Sequence, residues 1–269
     1  MDYDFGIRVD VGDNIGSGHF FRCYSIAKNL KKVGLKVVFV VNNEKSIKEH
    51  LGKVKIPYIV LKSKNENDRI KKCEVLSEKI EVFLIDLPFK NEQYSKNLKN
   101  KCKTIIIDDI GNKKIRSQLL FNGHVVDKFQ KYDINEKITK YFFGPKYMIL
   151  RNEFETIRRR KIVPREEICK ILLTFGGSDD SNLSTKISSY FISGSYNVTI
   201  VLGPSYSNQK KLNKIIQKNK NFQLIKNEKN MAKLFSKHDL VISSSGITAY
   251  ELACLGIPCI LIPSDKYQE

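Results

Sequence analysis

The chain has 269 residues, of which 41% are hydrophobic and 28% charged, enough to bury the core of two ordinary α/β domains or one large one, which excludes disordered and fibrous classes. Lys and Arg number 47 against 29 Asp and Glu, a net charge of +18, but most of these bases are lysines scattered singly among Asn, Glu and Ser, so a solvated surface is expected and no nucleic-acid partner. No apolar run approaches the ~20 residues of a membrane span, and the start, Met1-Asp2-Tyr3-Asp4, is acidic where an export signal is basic, so a cytoplasmic protein with no stable membrane insertion is expected.

Short β-branched runs alternate with longer amphipathic stretches, the pattern of βαβ units on a parallel sheet. The first predicted strand is Phe5–Asp10. A helix from about His19 to Leu30 follows, with Phe20, Cys23, Ala27 and Leu30 at helical spacing and Ile26 widening the stripe. Further strands are predicted at Lys36–Val41, Tyr58–Leu61, Val82–Leu87 and Thr104–Asp108. From Asp127 to Arg165 the pattern loosens, passes the basic cluster Arg158-Arg159-Arg160-Lys161 and Pro164, and a new alternation begins at Ile168. This separates a first domain, residues 1–160, from a second, residues 161–269. The second supplies strands at Lys170–Phe175, Val198–Leu202, Phe222–Ile225, Leu240–Ser243 and Cys259–Ile262, with a helical segment at Ala249–Leu255. The fold class is therefore α/β, two Rossmann-like domains with parallel sheets. Such sheets bind ligands outside the carboxyl ends of their strands, so a central cleft between the two is expected. The six cysteines show no CxxC and no His at metal spacing, and are read as reduced, mostly buried hydrophobes.

Three loops can carry chemistry. The first runs from Arg8 through Gly16-Ser17-Gly18-His19 into the first helix, where Gly16 and Gly18 allow a tight turn and the helix start offers N–H groups to an anion. It is not a dinucleotide fingerprint, because Phe21 stands where the last glycine would be, and it lacks the Lys-Ser/Thr pair of a P-loop. At that helix start the dipole favours a neutral imidazole, so His19 reads either as a base or as a residue that caps and packs. The second loop, Phe175-Gly176-Gly177-Ser178-Asp179-Asp180-Ser181, either lets a diphosphate approach the backbone or ends in an N-cap at Asp180 or Ser181. The third, Ser243-Ser244-Ser245-Gly246-Ile247-Thr248, opens a helix. There Glu251 can accept hydrogen bonds from two adjacent ribose hydroxyls, or be an exposed helix carboxylate. Asp86 and Asp108-Asp109 end two inner strands, where carboxylates serve as acid, base or ligand but more often cap a turn, as Gly111 suggests here. No metal site is predicted.

Taken together, Arg8–Asp10, Ile15–His19 with Arg22, Leu84-Ile85-Asp86, Ile107-Asp108-Asp109, Ile149–Phe154, Phe175–Asp179 and Ser245–Glu251 resemble the UDP-2,4-diacetamido-2,4,6-trideoxy-β-L-altropyranose hydrolase (PseG) family of pseudaminic acid biosynthesis. That family is similar to the MurG type of GT-B glycosyltransferase. The resemblance implies that water attacks the anomeric carbon of a UDP-sugar with inversion, releasing UDP and the free sugar, with no metal or other cofactor. A monomer is expected. The resemblance further implies that His19 is the general base and that Asp10, Gly16, Gly18, Arg22, Gly176, Gly177, Ser245, Gly246, Thr248, Glu251 and Gln268 contact the UDP-sugar. UDP is a good leaving group, so one base on the opposite face suffices, without the carboxylate pair of glycosidases. Two departures stand out. The family's Asn-Gln pair is Tyr267-Gln268 here, in a second domain expected to be shortened at its C-terminus, and Leu87-Pro88-Phe89 lacks a tyrosine expected near the sugar. A glycosyltransferase using the same donor, and an inactive sugar-nucleotide-binding protein, are the alternative readings.

Overall fold

A computed structural model describes residues 1–10, 18–42, 56–63, 65–88, 90–111, 114–125, 131–133, 135, 137–158, 166–177, 179–203, 206–226 and 228–263. The chain forms two compact units, Met1–Ile149 and Leu150–Glu269.

The first unit is a seven-stranded parallel sheet in the order β3-β2-β1-β4-β5-β6-β7. Its strands are β1 (Tyr3–Val9), β2 (Val37–Val41), β3 (Tyr58–Val60), β4 (Ile80–Asp86), β5 (Lys103–Ile107), β6 (Leu119–Asn122) and β7 (Lys140–Phe143), and its helices α1 (Gly18–Lys32), α2 (Glu66–Leu76) and α3 (Asn91–Leu98). The unbroken Val37-Val38-Phe39-Val40-Val41 run is buried throughout because helices cover both faces of the sheet. On one face Phe20, Cys23 and Ala27 of α1 pack on Ile7, Val9, Phe39 and Leu84, with Ile26 and Leu30 at the margin, so the predicted stripe is the packed one. On the other, Ile70 and Cys73 of α2 and Tyr94 and Leu98 of α3 cover Val38, Val40, Phe83, Ile85 and Ile106. The strands β6 and β7 extend the sheet beyond the five predicted in this half. Each is only four residues long and lacks the preceding amphipathic stretch that marks the others.

The second unit is a five-stranded parallel sheet in the order β10-β9-β8-β11-β12. It comprises α4 (Asn152–Ile157), β8 (Lys170–Thr174), α5 (Leu183–Ser189), β9 (Asn197–Leu202), α6 (Gln209–Gln217), β10 (Phe222–Lys226), α7 (Met231–Phe235), β11 (Leu240–Ser244), α8 (Ile247–Leu255) and β12 (Cys259–Ile262). All five strands lie where predicted, within a residue at either end. The division differs from the expected 160/161: α4 precedes that point yet belongs here, because its Phe154 is fully buried against Phe235 and beside Leu252. The cysteines are all free, but only Cys23 and Cys73 are buried, while Cys169 and Cys259 are exposed, the latter on the edge strand β12.

Each sheet reverses its winding once, between β1 and β4 in the first unit and between β8 and β11 in the second. At these points the chain leaves neighbouring strands in opposite directions, so the carboxyl ends stand open for a ligand. Val9 pairs with Asp86 at the first and Thr174 with Ser243 at the second.

Candidate functional site

At the first reversal Asp86, fully buried at the end of β4, lies under the opening turn of α1. His19 Nδ1 stands 2.6 Å from Asp86 Oδ1. Arg22, one turn further along, donates Nη2 to the same oxygen at 2.6 Å and Nε to Oδ2. Its other edge is on Asp109 after β5, with Nη1 to Oδ1 at 2.9 Å and Nη2 to Oδ2 at 2.8 Å. Burial alone would raise the Asp86 carboxyl, but the guanidinium and the imidazole hold it well below the usual carboxylate range. An ionised carboxylate can only accept, so the hydrogen in the His19 contact is on Nδ1 and the lone pair of the neutral ring is on Nε2. The side chain of His19 is 22% exposed and that of Arg22 only 3%. Cys23 donates its thiol to Asp86 Oδ2 at 3.4 Å, and burial pushes that thiol well above its ordinary range, so it is not a nucleophile.

This geometry separates residues the sequence had grouped. Arg22 was expected on the substrate, but it is turned inward because two carboxylates occupy it. Asp10, also expected there, lies one residue past Val9 and so on the opposite face of the sheet from Asp86. It pairs with the fully buried Arg8, Nη1 to Oδ1 at 2.6 Å, while Arg8 also donates to Tyr94 Oη at 3.1 Å. Asp108 turns away from its neighbour Asp109 and accepts the backbone N–H of Gly111 at 2.9 Å, as the turn reading anticipated. Gly18 opens α1, whereas Gly16 and Gln268 lie outside the described residues. Asn91, the buried first residue of α3, accepts the Leu87 N–H and donates to the Ile107 carbonyl and to Asp108 Oδ1, each at 2.9 Å, clipping together the turns that carry Asp86 and Asp109. His124, which the sequence reading passed over, follows β6 with Nε2 3.7 Å from Asp109 Oδ1, and burial holds its pKa below the ordinary histidine value. No local spacing marks Asn91 or His124, since the strands that bring them here are distant in sequence.

In the second unit the two glycine turns differ in electrostatic character. After β8, Gly176 takes a positive φ of 81° that a side chain would strain, and a Cβ on Gly177 would meet open space. The helix that follows is already satisfied: Asp179, rather than Asp180 or Ser181, accepts the N–H groups of Leu183 at 2.7 Å and Ser184 at 2.8 Å. After β11, Gly246 also faces open space, no side chain caps α8, and its first turn carries no acidic residue. Ser245, Gly246 and Thr248 are half-buried at this end. The N-terminus of α8 is thus suited to an anion and that of α5 is not. Glu251, one turn into α8, is 5% exposed rather than solvated, and both of its oxygens meet Arg151, Nε to Oε1 at 2.9 Å and Nη2 to Oε2 at 3.1 Å. Burial raises its carboxyl and Arg151 opposes the rise.

The glycine turn after β8 rests on Gly203, just past β9. A Cβ there would lie 2.5 Å from Gly177 Cα and 2.6 Å from the Gly176 carbonyl oxygen. Gly203→Ala is therefore expected to destabilise the protein by about 1–3 kcal/mol, read as a lower urea midpoint, because backbone on both sides must move. Gly203→Val should be worse. Among the described residues no cluster of His, Cys, Asp and Glu can hold a metal ion, and no helix is long and apolar enough to cross a membrane.

Residues 171–269 match the Glycosyltransferase family 28 C-terminal domain. Over 97% of its length the chain is 31% identical to an uncharacterized protein of Methanocaldococcus jannaschii, but it spans only 56% of that relative. It is 26% identical to a UDP-2,4-diacetamido-2,4,6-trideoxy-beta-L-altropyranose hydrolase of Campylobacter jejuni, over 89% of this chain and 84% of the relative. Among solved structures it is similar to MurG of Acinetobacter baumannii, with a TM-score of 0.63 at 14% identity over 98% of this chain and 78% of that one. The two parallel-sheet units therefore have the GT-B glycosyltransferase fold.

Proposed function

We propose that this protein is an inverting UDP-sugar hydrolase, acting on a UDP-linked 2,4-diacetamido-2,4,6-trideoxy sugar of the pseudaminic acid type. The observation that carries the reading is His19 Nδ1 at 2.6 Å from the fully buried Asp86 carboxylate, an arrangement that leaves Nε2 as the ring nitrogen for water. In the reaction, Nε2 takes a proton from water as the water oxygen bonds to the anomeric carbon. The bond from that carbon to the diphosphate oxygen breaks, and UDP leaves with the electron pair. Asp86 stabilises the imidazolium formed at that moment, the part a carboxylate plays beside a catalytic histidine in hydrolases. The N-terminus of α8, with Ser245, Gly246 and Thr248, takes the charge developing on UDP, and Glu251 takes the ribose. The similarity to the Campylobacter hydrolase supports the sugar and the hydrolysis.

A second reading, transfer of the sugar to an acceptor hydroxyl, is favoured by the family 28 match of residues 171–269. One assay separates the two. Release of UDP from UDP-2,4-diacetamido-2,4,6-trideoxy-β-L-altropyranose in buffer alone, with the free sugar appearing first as the inverted anomer by NMR, is the expected result. Release that requires an added acceptor defeats hydrolysis, and UDP binding without turnover on any UDP-sugar defeats both.

A further inference from the structure

Arg151 has no part in the chemistry above, yet it is held more tightly than a surface arginine. Its guanidinium lies over the ring of the fully buried Phe154, 5.0 Å from the centroid, and Nη1 is 3.3 Å from Glu153 Oε1. From that seat its Nε and Nη2 grip both oxygens of Glu251, a residue 100 positions away in sequence. The fork takes one acceptor site on each carboxylate oxygen and leaves one more on each. The carboxylate therefore keeps capacity for two hydroxyls, the number that adjacent ribose carbons carry. The arginine also cancels the charge of a carboxylate that would otherwise repel a diphosphate one helical turn away.

We infer that Arg151 is a positioning residue for ribonucleotide recognition: its fork fixes Glu251 in the single orientation that accepts both the 2′- and the 3′-hydroxyl of a ribose. This rests on the nucleotide being held at the start of α8, as proposed above. A salt bridge that only fastened α4 to α8 would affect stability but not the choice between ribose and deoxyribose.

The test is titration calorimetry of the full chain with UDP and with 2′-deoxy-UDP, for the wild type, Arg151→Ala, Arg151→Lys, Glu251→Ala and the double Ala variant. The wild type is expected to prefer UDP about tenfold or more, the value of a hydrogen bond to a charged acceptor. In Arg151→Ala that preference falls to within about twofold of unity, as it does in Glu251→Ala, and the double variant falls no further. Arg151→Lys keeps the charge without the fork and should lie between, which preserves the test if the alanine variant folds poorly. A wild-type preference retained in Arg151→Ala, or a loss of equal size added on top of Glu251→Ala, overturns the inference and leaves the nucleotide site standing. Wild-type UDP affinity and preference in Glu251→Ala remove the nucleotide site itself, and the inference with it.

Discussion

His19→Ala is expected to lower kcat for UDP release by about 10²- to 10⁴-fold, the range a positioned general base contributes, with UDP affinity changed less than about twofold. The split is the informative part. The base belongs to the first unit and the proposed nucleotide contacts to the second, so removing the imidazole should lose a proton acceptor without losing a binding group. Asp86→Asn should mimic much of the kcat loss, because the amide cannot stabilise an imidazolium and its NH₂ can turn the ring to the other tautomer. The measurement is steady-state UDP release across pH 5–9, with UDP binding by calorimetry on the same samples. A His19→Ala protein that turns over at the wild-type rate would leave the proposed mechanism without its base.

The largest stability effect is expected at Arg22. Arg22→Met keeps the length and apolar stem of the side chain and removes the guanidinium that Asp86 and Asp109 share, leaving two carboxylates against each other. Breaking a buried ion group from one side costs about 3–5 kcal/mol. The pH dependence tests the cause. In the wild type both carboxyls are held below their ordinary values. Their contribution is therefore present above the unfolded value, about pH 4, and is lost as pH falls further. In Arg22→Met, burial without the guanidinium lifts both carboxyls above the unfolded value, so folding takes up protons and stability rises as pH falls from 7 toward about 4. The gap in urea midpoint should be widest at neutral pH and should narrow on acidification. A deficit of constant size from pH 7.5 to 4 would mean that lost packing, not uncompensated charge, is responsible.

The sequence carried information wherever the physics is local. The stripe of Phe20, Cys23 and Ala27, the buried β2 run and all five strands of the second unit follow from periodicity, because one element's burial decides them. Asp86 and Asp109 were visible as strand-end acids and His19 as a helix-start base. What joins them was not visible: Arg22 meets Asp109 across 87 positions and Arg151 meets Glu251 across 100, and no window on the chain reports such a contact. The same blindness placed Arg22 and Asp10 on the substrate, and it left open whether Glu251 is exposed, which its pairing with Arg151 excludes. Asp179 was missed as the cap of α5 because it reaches back from a left-handed turn, φ 47°, rather than from the residue before the helix. The strands β6 and β7 follow no amphipathic stretch that would set them off, and Gly203 looks like any loop glycine until its neighbour Gly177 is seen.

The clip formed by Asn91 bears on how this arrangement behaves in different solutions. An uncharged amide, out of contact with solvent, sets the separation of the strand ends that bear the two acids, so ionic strength can screen the forces among the charged groups while their spacing stays as built. Dilute buffer and brine should then alter the strength of the interaction between the arginine and its acids, yet leave the imidazole facing the same way.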